Sequence, residues 1–287
     1  MRLWQIATFA VLAALSAFGA WAVVRERPPP AGKPDGTRIV SLSPSITETL
    51  FAIGAGERLV GVSDYCNHPA ETAKRPHVGT GLTPSYEAIA RLTPTLIVSE
   101  KNANVRAGEL RALAPTLLLP WLSLGEIADS VRRLGRLTGH EREAGALAGR
   151  LLHELGVLPR AGAPRVLLVL GYDPSRLDEV WFIRKNSLHG AALNAAGGRN
   201  AVDEAVTGLP QLSIQRVIEL DPDIVIVLVL QHRAGDPLAA WRRLEPLRAV
   251  REGRLSVIQA PEAFANSPRI FDLTERLARE IERLRPR

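Results

Sequence analysis

The sequence predicts an α/β protein of two lobes, each built on a parallel sheet and joined by one long helix, and three patterns predict it. First, short apolar runs such as Arg38-Ile39-Val40-Ser41-Leu42 and Leu59-Val60-Gly61-Val62 alternate with helical segments. Runs that are apolar throughout, rather than at every second position, suit strands covered on both faces, as in parallel sheets. Second, a segment recurs. Ser85 to Val98 is matched 128 residues later by Ser213 to Ile226, and Arg38-Ile39-Val40 is matched by Arg165-Val166-Leu167 at an offset of 127. Two matches at nearly one offset indicate duplicated lobes. Third, a helical stretch separates the copies. Ile127, Val131, Leu134 and Leu137 recur at helical spacing, and beyond Gly139 a second helix runs from about His140 to Leu155, with Leu147, Leu151, Leu152 and Leu155 as its apolar stripe.

Each element has a local reason. Ser45 is expected to cap a helix from Ile46 to Ala52, with Glu48 at capping-box spacing, and Gly54 and Gly56 stop it. Polar residues 63–69 follow the next strand as a loop. In each copy of the repeat a serine caps a helix, Pro94 or Pro222 ends it, and a buried strand follows. The expected organisation is an N-terminal lobe over residues 37–138, a connecting helix over 139–159 and a C-terminal lobe over 160–287. A helix is a stiff connector, so limited closure between the lobes is expected. Residues 1–36 differ: an apolar run from Leu3 to Val24, broken only by Gln5, Thr8 and Ser16, follows Arg2 and gives way to a Pro/Gly segment, Pro28 to Gly36. It is long enough to cross a hydrocarbon core. It reads either as a signal peptide with Ala20-Trp21-Ala22 as its cleavage site or as an uncleaved membrane anchor, and both export the rest of the chain. With no cysteine near residue 20, a lipid-anchored lipoprotein is excluded.

Composition narrows the function. The net charge of +6 and a pI near 10.1 raise the question of nucleic acid. The arginines, however, are interspersed with Glu and Asp, as around Arg132, Arg133 and Arg136 or Arg242, Arg243 and Arg248, in the manner of solvated helix faces. No Lys/Arg run carries interleaved aromatics, so nucleic acid is not an expected partner. Cys66 is the only cysteine, which rules out an internal disulfide and any zinc-finger spacing. The six histidines show neither His-x-His nor His-Glu-x-x-His spacing, so no metal site is expected. Gly-x-Ser-x-Gly, P-loop and Gly-x-Gly-x-x-Gly motifs are missing. No catalytic motif and no cofactor are therefore read, and an exported hydrolase with Ser, His and Asp gathered from separate loops is the catalytic alternative.

Arg38 to Pro44 with Thr47-Glu48, then Val60-Gly61-Val62-Ser63-Asp64-Tyr65, then Glu87-Ala88-Ile89 before Leu92-Thr93-Pro94, resemble the helical-backbone (class III) ABC-transporter substrate-binding proteins, and most of all their cobalamin-binding branch. The likeness continues through Ala196-Gly197-Gly198-Arg199-Asn200, Leu209-Pro210-Gln211-Leu212-Ser213 and Ser267-Pro268-Arg269-Ile270, and spans residues 37 to about 285. The resemblance implies two Rossmann-like lobes joined by one long helix, with a corrinoid, ferric siderophore, haem or metal ion bound between them. It also implies delivery of that ligand to an ABC permease by a monomer. In the family each lobe docks through a surface Glu; Glu87 matches the first, while the second position is Gln215, which keeps an amide but loses the charge. The repeat pairs the same two residues. That departure, together with an uncleaved anchor, leaves room for a membrane-anchored sensor or adaptor on the same fold.

Loops that follow predicted strands supply the candidate ligand contacts: Tyr65, Glu100 and Lys101 in the first lobe, and Tyr172, Trp181, His232 and Phe264 in the second. Tyr65 matches one of the cleft aromatics of the cobalamin branch, whereas Gly81, Glu100 and Leu209 stand at three other aromatic positions. Trp181 and Phe182 lie in an insertion, Asp173 to Ser187, that breaks the repeat. It reads as a hairpin over the cleft or as a sheet-edge hairpin with its aromatics in the core. His232 is placed to meet an axial site or a carboxylate, or to lie on a polar loop. Arg269 matches a family position and equally suits an ion pair at a helix end.

Overall fold

The computed structural model describes residues 36–102, 105–171, 180–204, 206, 210–230 and 236–286. The apolar N-terminal run, Tyr172 and His232 lie outside them. In the first half β1 (Ile39–Ser41) leads into α1 (Pro44–Ala52), followed by β2 (Leu59–Val62), α2 (Tyr86–Arg91), β3 (Leu96–Glu100), α3 (Ala107–Arg111) and β4 (Thr116–Leu119). The helices α4 (Leu124–Thr138) and α5 (Glu141–Leu155) come next. The second half holds β5 (Arg165–Leu170), β6 (Val180–Trp181), α6 (Leu188–Ala195), β7 (Arg199–Asn200), β8 (Gln211–Leu212), α7 (Ile214–Leu220), β9 (Ile224–Val229), α8 (Arg248–Arg251), β10 (Leu255–Gln259) and α9 (Ile270–Leu284).

The strands form two four-stranded parallel sheets, ordered β2-β1-β3-β4 and β7-β5-β9-β10, with a small antiparallel ribbon of β6 and β8. Set side by side, the orders are the same, with β5 in the place of β1 and β9 in the place of β3. The repeat therefore extends from sequence to topology, and it reaches single hydrogen bonds. Arg38 precedes β1 and its guanidinium donates to the carbonyls of Leu92 (2.7 Å) and Thr93 (3.2 Å) at the end of α2. Arg165 opens β5 and donates to the carbonyl of Leu220 (2.7 Å) at the end of α7. A cation on the last carbonyls of a helix satisfies groups that have no partner within the helix and complements its dipole. The backbone N–H of Arg38 is held by Thr95 Oγ1 (2.8 Å) and that of Arg165 by Asp223 Oδ2 (2.7 Å). Both helices end on a residue with positive φ just before the proline, Thr93 (43°) and Asp221 (37°).

Local capping departs from the sequence reading at one helix. α1 starts at Pro44, and its cap is Ser43, whose hydroxyl accepts from the backbone N–H of Ile46, rather than Ser45. Proline fits the first helical turn because its missing N–H would have no partner there. Glu48 is thus too far along the helix for the capping box and is free for another role. The repeat helices are capped as expected: Ser85 accepts from Ala88 N (3.3 Å) and Ser213 from Arg216 N (3.2 Å). Ser123 and Glu126 form a full capping box on α4.

α4 and α5 turn on Gly139, which sits in the left-handed region (φ 75°). They approach so closely that a Cβ on Gly135 would lie 2.4 Å from that of Ala144. Both helices join a single apolar core with residues from the two sheets: Ile39, Leu59 and Leu96 from the first, Val166, Leu168 and Ile224 from the second, and Val131, Leu134, Ala148 and Leu151 from the helices between. The outer face of each sheet has its own smaller core, around Val40 and Ile97 in the first lobe and around Leu167, Val225 and Trp241 in the second.

Candidate functional site

In an open parallel sheet, ligands enter the crevice beyond the carboxyl ends of the strands, where the strand order reverses. In the first sheet that reversal lies between β1 and β3. Ser43 leaves β1 at this point and Glu100 ends β3, and the Ser43 hydroxyl donates to Glu100 Oε1 at 2.7 Å. Glu100 is half-buried and Lys101 beside it is exposed. The backbone N–H groups of Ser123 and Leu122 hold the Glu126 carboxyl below the usual carboxylate range, with help from the charge of Lys101.

Tyr65 follows β2 and is 68% exposed. Its loop is pinned on one side by Asp64, whose N–H donates to Gly79 O (2.8 Å) while its carboxylate accepts from Gly79 N (3.2 Å). On the other side the buried Cys66 thiol lies 3.2 Å from Thr47 Oγ1 and 3.3 Å from Ser63 Oγ. Burial pushes the pKa of this thiol up, so Cys66 acts as a packed anchor beneath Tyr65. The turn next to it holds a residue that sequence reasoning missed. Gly81 lies so close to β1 that a Cβ there would meet Leu42 O at 2.9 Å, whereas Leu82 is 60% exposed. The apolar side chain offered by this loop is therefore Leu82, and Gly81 is a close-approach glycine. Exposure next to a glycine in a turn carries no periodicity, so the sequence held no signal for it.

In the second lobe an open pocket of about 210 Å³ gathers Leu170, Phe182, Ile183, Pro210 and Phe264 with Arg184, Ser187, His189 and Asn266, and Leu122 reaches it from the first lobe. Of the residues expected from sequence, Phe264 lines it, on the turn after β10. Trp181 does not. In the described part of the insertion, β6 pairs with β8, so that Trp181 faces Gln211 in register, and Phe182 bridges antiparallel back to Val169 of β5; Phe182 is 2% exposed and lines the pocket from within the core. The alternation of a strand sends neighbouring side chains to opposite faces. Tyr172, His232 and Leu209 lie outside the described residues. Leu230, at the end of β9, is 47% exposed.

His189 was not expected from sequence. It is 5% exposed at the start of α6, and its Nε2 has no hydrogen-bond partner among the described residues. Burial pushes its pKa down to about 4, against a smaller opposing effect of the Asn266 side chain and the Ala263 backbone. Asn266 also ties the lobes together, its carbonyl accepting from Trp121 Nε1 at 2.8 Å. Leu188 N donates to Leu122 O at 3.1 Å across the same seam. A third tie is the Arg269–Glu48 pair: Arg269 Nε and Nη2 meet the two carboxylate oxygens of a buried Glu48 at 2.8 and 2.6 Å. This geometry gives Arg269 the ion-pair role. A groove of about 340 Å³ runs over the pair, flanked by Phe51, His68, Pro69 and Asp272.

Glu87 and Gln215 each occupy the second position of a serine-capped helix, and both are exposed. Glu87 pairs with Arg91 at 3.2 Å. Because α2 and α7 each precede a parallel strand and run back against it, their N-termini lie at the carboxyl edge of the sheets, the edge that carries Tyr65 and Glu100. Among the described residues, no group of His, Cys, Asp and Glu is arranged to hold a metal ion. No helix among them is long and apolar enough to cross a membrane.

A family profile described as periplasmic binding protein matches residues 39–262. A vitamin B12-binding protein of Yersinia pseudotuberculosis is 27% identical over 211 residues, covering 71% of this chain and 74% of that protein. The crystal structure of the periplasmic vitamin B12 binding protein BtuF of Vibrio cholerae has the same fold, with a TM-score of 0.68 at 23% identity over 87% of this chain and 98% of that one. A periplasmic heme binding protein from Pseudomonas aeruginosa superposes with a TM-score of 0.67 at 25% identity, covering 84% of this chain and 91% of that one.

Proposed function

Given that the chain belongs to the periplasmic binding protein family, we propose that it is the substrate-binding component of an ABC uptake transporter, taking a corrinoid or a chelated-iron ligand such as haem or a ferric siderophore. Membership of this family implies an extracytoplasmic location and a binding rather than catalytic role. The observation that carries the reading is a pocket in the second lobe where Phe182, Phe264 and other apolar side chains stand with Arg184, Ser187, His189 and Asn266 and which Leu122 joins from the first lobe, together with exposed Tyr65 and Leu82 on the first lobe. Apolar and aromatic walls with few polar groups are the usual composition of small-molecule sites. Relatives named for vitamin B12 and for heme support both ligand classes. We assign ligand contact to Tyr65, Glu100, Lys101 and Phe264, together with Tyr172, Trp181 and His232, and permease docking to Glu87 and Gln215.

The test is a titration of the protein with cyanocobalamin, haemin and several ferric siderophores, followed by tryptophan fluorescence with inner-filter correction. Saturable binding of one of them at micromolar affinity or better supports the reading and names the ligand. A folded protein that binds none of them overturns it. An exposed Gln215 where docking in the family uses a carboxylate favours a second reading, a membrane-anchored sensor or adaptor, and failure to capture an ABC permease despite ligand binding would support that reading instead.

A further inference from the structure

We infer that the Ser43–Glu100 pair sets the ligand class of the cleft, selecting a ligand that offers N–H or O–H donors or a positive charge and rejecting one rimmed with carboxylates. The inference rests on the small-molecule reading above and deepens it. Its first support is position. The hydrogen bond joins the end of β1 to the end of β3, so it spans the place where the strand order reverses and where a ligand meets the first sheet.

The second support is preorganisation. Ser43 is 4% exposed and its hydroxyl is used twice, accepting from Ile46 N as the cap of α1 and donating to Glu100 Oε1. One carboxylate oxygen is thereby fixed to a rigid helix start, and Glu100 Oε2 is left to accept from a ligand. The third is charge. Among the described residues Glu100 makes no ion pair, and Lys101 beside it is exposed. A half-buried carboxylate without a cationic partner gains most from a donor brought by the ligand, since hydrogen bonds to a charged group are about twice as strong as neutral ones. A ligand carboxylate at the same place meets like charge, which costs affinity. Arg184, the cation of the second-lobe pocket, is already engaged within the protein. At the equivalent reversal in the second sheet, between β5 and β9, the described residues are Gly171 and the exposed Leu230.

Cyanocobalamin, whose corrin carries neutral amides, and haemin, whose porphyrin carries two carboxylates, probe the two sides of this selection. Both are titrated into the full chain in mild detergent, with protein-free detergent as blank, for the wild type and for Glu100→Gln. The substitution keeps an oxygen for Ser43 and removes only the charge, and an unchanged melting curve shows that the fold is kept. The expected result is a wild-type preference for cyanocobalamin that falls about tenfold or more in Glu100→Gln, through weaker cyanocobalamin binding, tighter haemin binding or both. A preference ratio that does not move in a variant that melts like wild type overturns the inference, as does a wild type that binds haemin more tightly, and both leave the ligand-binding reading standing. A wild type that binds neither removes that reading for these ligands and the inference with it.

Discussion

At the scale of single residues, His189 shows how burial decides chemistry. An imidazole in water is half charged near pH 6.5, but this ring is enclosed, its Nε2 lacks a partner among the described residues, and its pKa is pushed down to about 4. The folded-state pKa lies below the unfolded one, so between pH 6.5 and about 4 the unfolded chain takes up the proton first and stability falls as pH drops. Above that window the ring adds no pH dependence, and below it the loss levels off. The expected loss from this group is roughly 3 kcal/mol, since each pKa unit corresponds to about 1.4 kcal/mol. Urea unfolding at several pH values checks it. The slope between pH 6.5 and 4 should flatten in His189→Gln, whatever that variant does to absolute stability, and an unchanged slope would assign the acid sensitivity to other groups. Glu100 is the converse case, a carboxylate held in place by one hydroxyl and left with an oxygen to use. Of these two only Glu100 stood out in the sequence, because it follows a readable strand. His189 sits in a helix whose sequence gives no sign that the second residue turns into a core.

At the scale of elements, the repeat organises the surface. α2 and α7 share a serine cap, an arginine on their last carbonyls and a proline beyond, so their first turns present matched positions, Glu87 and Gln215. An exposed carboxylate in a first turn also suits the helix dipole, a structural role that asks for no partner. Docking to a permease separates the two roles. Glu87→Ala is expected to weaken capture of the permease by about tenfold, the loss of one charge-assisted contact, with little change in melting temperature. Gln215→Glu is expected to strengthen it. Pull-down against the membrane component reads both, and equal capture by all three proteins would leave Glu87 with the helix role alone. The same scale explains the one misplaced cap. Ser45 is the cap expected from sequence, and the role falls to Ser43 because Pro44 suits the first turn and because the Ser43 hydroxyl also reaches Glu100.

At the scale of the whole molecule, the lobes are coupled by more than a connecting helix. One apolar core runs from the first sheet through α4 and α5 to the second, and Trp121–Asn266, Leu122–Leu188 and Glu48–Arg269 cross the seam. Buried ion pairs contribute little net stability, yet they fix geometry, because separating them leaves uncompensated charge. Ligand binding is therefore expected to change the radius of gyration too little to resolve by small-angle scattering. A clear compaction on saturation would show that these ties break and re-form, as in hinge closure.

The sequence by itself determined the alternation of buried strands and helices, the duplication and the helical stretch between the copies, because these rest on local apolar pattern, capping and proline chemistry. It also pointed to Tyr65, Glu100 and Phe264, since each follows a strand that can be read from its own residues. Only the tertiary structure decided that Leu82 is exposed beside Gly81, that Phe182 rather than Trp181 lines the second-lobe pocket, and that Arg269 is bound to Glu48. These outcomes depend on backbone approach, strand register and contacts between residues up to 221 positions apart. No local pattern carries that information, because packing compares surfaces that the chain brings together only when it folds.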